Sequence, residues 1–220
     1  MQKNENNQIN EINNISEKGE KSEKKEKKTA ASMVKTAGSL GIITFITVLV
    51  LAVSNSLAAP VIEKRFQEEK DESIVNLFGD GIFSEELPGF EDMYSQFNAP
   101  VTELLVVKKS GTDIISGYCV IVTPKGFNGR ITMLVAINPD ATVKDTEILN
   151  MSETSGSGTK IDSEDWFQDQ FKGKNIEYLP DINSIDVVAN ATVSSKAFYN
   201  GITSAIEIVK KVIAGDETQR

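Results

Sequence analysis

Thr192, Ser194 and Ser195 fall together in the run DVVANATVSS, residues 186–195, directly before a long amphipathic stretch. Hydroxyls at the start of a helix have two uses. As an N-cap, Thr192 or Ser194 would accept a backbone N–H and do nothing more. The same place is an anion site, because unpaired N–H groups and the positive end of the helix dipole hold phosphate. A threonine hydroxyl there could bond to a phosphate or be esterified by one. A second run, LNMSETSGSGTK at residues 149–160, is dense in Gly, Ser and Thr and follows a predicted strand. Such loops cradle ligands with backbone N–H groups, and an ordinary glycine-rich hairpin loop has the same composition.

Composition removes most other chemistry. The 220 residues include no histidine and one cysteine, Cys119. An imidazole base, a His-ligated metal, a disulfide and an iron–sulfur cluster are all excluded, and no metal site is expected. A net charge of −9 argues against nucleic acid. The 32 acidic residues form no recognisable catalytic pair, so no catalytic side chain is assigned. Redox or group-transfer chemistry must therefore come from a bound organic cofactor, or from carboxylates and hydroxyls. Cys119, inside GYCVIV, reads as a buried, inert thiol. Trp166 and Phe167 read as core residues, with stacking on a ligand ring as the alternative.

The elements that must position these residues come in zones. Residues 1–35 are rich in Asn, Glu and Lys and cannot bury enough surface to order, so a disordered tail is expected. Residues 36–59 are uncharged and mostly Leu, Ile, Val and small residues, enough for one transmembrane helix. Lysines cluster before this span and acidic residues follow it, so the tail is expected in the cytoplasm and the rest outside the cell membrane. A signal peptide cleaved before Ala59 is the competing reading, against which stand the long polar leader and the long apolar core. Asn55 would face either the membrane interface or another membrane subunit.

Residues 60–215 read as an α+β domain, with a polar tail at 216–220. A helix is expected over 60–78, ended by Gly79, and irregular chain over 81–99. Strands at 101–108, 113–123, 130–138 and 142–149, separated by SGTD, PKGFNG and NPDA, predict an antiparallel meander. A short helix capped by Ser163 is expected at 163–171, and a further strand at 185–188. Residues 194–214 carry apolar side chains at helical spacing, with Gly201 a mild weakness.

This layout resembles the G subunit of the Rnf electron-transport complex, whose FMN-binding domain is shared with the C subunit of the sodium-pumping NADH:quinone reductase. In that family FMN is joined through its phosphate to a threonine in the form Asp-x-x-(Ser/Thr)-Gly-Ala-Thr-x-(Ser/Thr). Here Asp186, Ala191, Thr192 and Ser194 match, while Ala189 and Asn190 stand at the Ser/Thr and Gly places. The family's His-x-Glu-Thr-Pro-Gly-Leu-Gly loop resembles residues 151–158, with Glu153, Thr154, Gly156 and Gly158 matching. Gly126-Phe127-Asn128-Gly129 resembles its Gly-Tyr-x-Gly turn.

The resemblance implies an electron-carrying subunit of a membrane-bound, ion-translocating ferredoxin:NAD oxidoreductase, incomplete as an enzyme alone. It implies covalent FMN on Thr192, with Ala191, Ser194 and Ser195 about the phosphate and Glu153, Thr154, Gly156, Ser157 and Gly158 along the ring or ribityl chain. Asp186 would serve loop geometry or the flavin transferase that installs FMN. The implied partners are the other membrane subunits, the lipid bilayer and that transferase. Two alternatives stay open: a flavoprotein of another membrane pathway, such as a quinone reductase or an extracellular electron carrier, and a membrane-anchored binding domain without cofactor.

Overall fold

The computed structural model of the chain describes residues 2–218, with side chains at 33, 35, 37–90 and 92–215. It divides into two compact units, Met1–Glu63 and Lys64–Arg220.

Helix α1 runs Gln2–Phe78 and contains one segment, Ala37–Phe78, long and apolar enough to cross a membrane. Its polar atoms bond within the helix: Thr44 and Thr47 hydroxyls donate to the carbonyls of Leu40 and Ile43, each at 2.9 Å. That back-bonding suits an apolar solvent. The helical backbone of α1 includes residues 2–35. Glu and Lys have high helix propensity, and extending a nucleated helix is far less costly than starting one. Gly79 ends α1 at φ +88°, its N–H donating to the Val75 carbonyl. The end of the polar tail, residues 219–220, lies outside the described residues.

Five strands follow in one antiparallel sheet whose spatial order is the chain order: β1 (Ile82–Glu86), β2 (Val101–Lys109), β3 (Ile115–Val122), β4 (Ile131–Ile137) and β5 (Val143–Met151). The four predicted strands are present. The fifth, β1, replaces part of the chain expected to be irregular. Its IFSEE sequence has no apolar alternation, and pairing to the free edge of β2, with a Glu85–Lys108 ion pair, is what makes it a strand. A 3-10 helix, Glu91–Gln96, leads from it to β2.

Both faces of the sheet are covered, so β3 is buried along Gly117–Val122. On one face Tyr118, Val120, Met133 and Val135 meet Phe198, Ile202 and Ile206 of helix α4 (Thr192–Thr218). Gly201 is the close-approach point there, since a Cβ would lie 2.9 Å from Met133 Sδ and 3.1 Å from Val122 Cγ2. On the other face Ile74, Leu77 and Phe78 of α1 pack on Leu105, Cys119 and Leu134. The nearly buried Lys70 donates to Glu103 of β2 at 2.7 and 3.0 Å. Cys119 lies in this second core, and burial pushes its thiol pKa far up.

Three local expectations are corrected. The helix at 163–171 is two helices, α2 (Lys160–Ser163) and α3 (Asp165–Asp169), and Ser163 ends the first rather than capping the second. Phe167 is in the core, but Trp166 is 47% exposed and donates its indole N–H to Glu164, because adjacent residues of a helix face different ways. Residues 185–188 join no sheet; side chains of Gln170 and Ser195 bond the backbone of Asp186 and the N–H of Val188.

Candidate ligand cleft at the start of the last helix

The loop that leads into α4 is held by two side chains. The Gln170 amide bonds both backbone groups of Asp186, accepting its N–H at 3.2 Å and donating to its carbonyl at 3.0 Å. The Ser195 hydroxyl, fully buried, accepts the N–H of Val188 at 3.1 Å. A turn then forms over residues 188–191, closed by the Ala191 N–H on the Val188 carbonyl at 2.9 Å. Its third residue, Asn190, has φ +64°, as a type II turn requires. Glycine takes that conformation freely, and Asn is among the side chains that tolerate it.

The first helical bond is Ser195 N–H to the Ala191 carbonyl at 2.8 Å. Ala191 therefore holds the N-cap place expected for Thr192 or Ser194. Residues 192–194 are the first turn, whose N–H groups have no carbonyl within the helix to bond. Thr192 and Val193 are exposed, while Ser194 is buried and donates its hydroxyl to Glu153 Oε2 at 3.0 Å.

The glycine-rich loop after β5 comes to the same place. The Ser157 hydroxyl donates to the Asn190 carbonyl at 2.6 Å, joining the two loops directly. Glu153 also receives the Asn128 N–H, at 3.3 and 3.4 Å to its two oxygens. Between these segments lies a cleft of about 320 Å³ lined by Phe127, Glu153, Thr154, Ser157, Gly158 and residues 190–194.

Seven of the nine expected cofactor residues line this cleft: Thr192, Ser194, Ala191, Glu153, Thr154, Ser157 and Gly158. Gly156 does not; it turns the loop at φ +76°. Ser195 does not either, because its hydroxyl is used beneath the turn. Asp186 contributes its backbone, and its carboxylate points to solvent. Phe127 and Val193 line the cleft without having been expected there. The GFNG turn was the signal for Phe127, and nothing in its composition sets an aromatic lip apart from a chance exposed side chain.

The cleft fits a phosphorylated ligand with a flat apolar portion. Unpaired N–H groups, the positive end of a 27-residue helix and an exposed hydroxyl face one end. Phe127 and Val193 supply apolar surface at the mouth. Its volume is at the lower end of the roughly 300–1,000 Å³ usual for small-molecule sites.

Comparison with known proteins agrees with this geometry. The FMN-binding domain family matches residues 126–207, a span that holds both walls of the cleft. The chain is similar to the G subunit of the proton-translocating ferredoxin:NAD(+) oxidoreductase complex of Clostridium ljungdahlii, 28% identical over 78% of this chain and 88% of that protein. It is also similar to the G subunit of the ion-translocating oxidoreductase complex of Vibrio atlanticus, 29% identical over 41% of this chain and 47% of that one. The corresponding protein of Pasteurella multocida is 32% identical over 41% of this chain and 50% of its own length.

Proposed function

We propose that this FMN-binding chain is the membrane-anchored electron-carrying subunit of an ion-translocating ferredoxin:NAD oxidoreductase, with FMN joined through its phosphate to Thr192. The observation that carries the reading is the exposed Thr192 hydroxyl, in the first turn of α4, opening on a cleft shared with the loop that contains Glu153 and Gly158. Asn190 supports it too, since it takes the left-handed φ for which the resembling motif has glycine.

FMN, when bound, supplies the one- and two-electron chemistry that no side chain here can perform. The chain's residues bind and orient. Thr192 would be the tether: its hydroxyl would give up its proton and carry the phosphoester, in exchange for the flavin donor's phosphate bond to its leaving group. The N–H groups of residues 192–194 and the helix dipole balance the phosphate charge, a term of about 0.3–1 kcal/mol at exposed helix ends. Tethering keeps the cofactor from being diluted away. Asp186, with its carboxylate in solvent, is available to the flavin transferase.

Helix α1 would anchor the chain in the cell membrane. The lysines before the apolar segment and the acidic residues after it favour a cytoplasmic N-terminus and an FMN domain outside. The other complex subunits are the electron-transfer partners. Expressed with a flavin transferase and separated on a denaturing gel, the wild-type chain is expected to fluoresce and Thr192→Ala to be dark. Full fluorescence of that variant would discard the assignment.

A further inference from the structure

We propose that Phe127 is the platform on which the flavin ring of the Thr192-linked cofactor rests, and that Glu153 is the residue that positions it. This rests on the function proposed above.

Phe127 and Asn128 form the tip of the β3–β4 connection, between the Gly126 N–H and the Gly129 carbonyl it bonds at 2.8 Å. The Phe127 ring is 73% exposed. What sets this exposed ring apart is its place on the cleft that also holds Thr192. The tip is firmly held. Glu153 accepts the Asn128 N–H with both oxygens. Its carboxylate fills the place of a Gly126 side chain, since a Cβ there would lie 2.0 Å from Oε1. Gly158 leaves room on another side, with a Cβ position 2.7 Å from Oε2.

The same carboxylate accepts the Ser194 hydroxyl at 3.0 Å. One residue thus ties the Phe127 tip to the first turn of α4 and sets the spacing between Phe127 and Thr192. Both line the one cleft. A flat ring tethered to Thr192 through a ribityl phosphate would find that surface in the same cleft, and offset stacking would be its favoured packing.

The test uses the full chain, flavinylated and purified in detergent, with attached FMN measured by intact mass and emission expressed per attached FMN. Phe127→Trp and Phe127→Tyr each bring a ring that quenches flavin emission on contact, so both are expected to lower it several-fold. Adding Glu153→Ala to Phe127→Trp is expected to restore much of the emission. Adding Glu153→Gln, which keeps an acceptor for Asn128 and Ser194, is expected to leave it quenched. Emission unchanged in both aromatic variants overturns the Phe127 assignment and leaves the function standing; it points to a protein or lipid surface as the ring's partner instead. Loss of FMN from both, with the far-ultraviolet circular dichroism unchanged, also overturns it. Quenching that Glu153→Ala leaves unchanged overturns the positioning role. A wild-type chain carrying no FMN overturns the proposed function and this inference together.

Discussion

Asn190 shows how much one backbone angle decides at the site. Its φ of +64° lets the Ala191 N–H close on Val188 and directs its own carbonyl to the Ser157 hydroxyl. Asn190→Gly should keep this conformation and stability. Asn190→Val forces a β-branched residue to positive φ and is expected to cost about 1–3 kcal/mol. Urea unfolding followed by the single tryptophan, Trp166, would show it as a lower midpoint. At this scale the sequence made the helix start legible, because Thr192, Ser194 and Ser195 are local to it. It did not separate their roles. Ser195 under the turn and Ser194 on Glu153 depend on partners 7 and 41 residues away, and a hydroxyl carries no mark of its partner.

Helix α4 and the sheet meet where side chains leave least room. Gly201 has a poor helix propensity, but its missing side chain lets α4 approach Met133 and Val122. Gly201→Val regains little propensity and overpacks the contact, so a net loss of about 1–3 kcal/mol is expected by chemical denaturation. Elements with strong periodicity were legible: four strands with clear turn separators and the apolar stripe of α4. Elements made by their neighbours were not. Strand β1 exists because β2 offers an edge, and residues 185–188 resemble a strand in sequence yet bond to Gln170 and Ser195 instead of a sheet.

Two cores, one on each face of a single sheet, stabilise the unit Lys64–Arg220. The last turns of α1 belong to that unit through Ile74, Phe78 and the Lys70–Glu103 pair. The apolar segment before it has its large side chains exposed throughout residues 40–57. The whole chain is expected to stay in the membrane pellet after an alkaline wash. A fragment starting at Lys64 should partition to the supernatant with its sheet signal in circular dichroism intact. The membrane-length apolar segment was visible in composition. The second core was not, because its helix follows directly on a membrane-length segment and reads as a continuation of it.

The strands pair in the order in which they are synthesised, and α4 comes last. Each hairpin joins neighbours in sequence, whereas α4 packs on β3 and β4 across a much longer stretch of chain, a contact that is slower to form. The hydroxyl at residue 192 gains its anion-holding surroundings only when that helix closes onto the finished meander. If the proposed tether is right, only molecules with that contact made present a complete site, and flavin colour would report them.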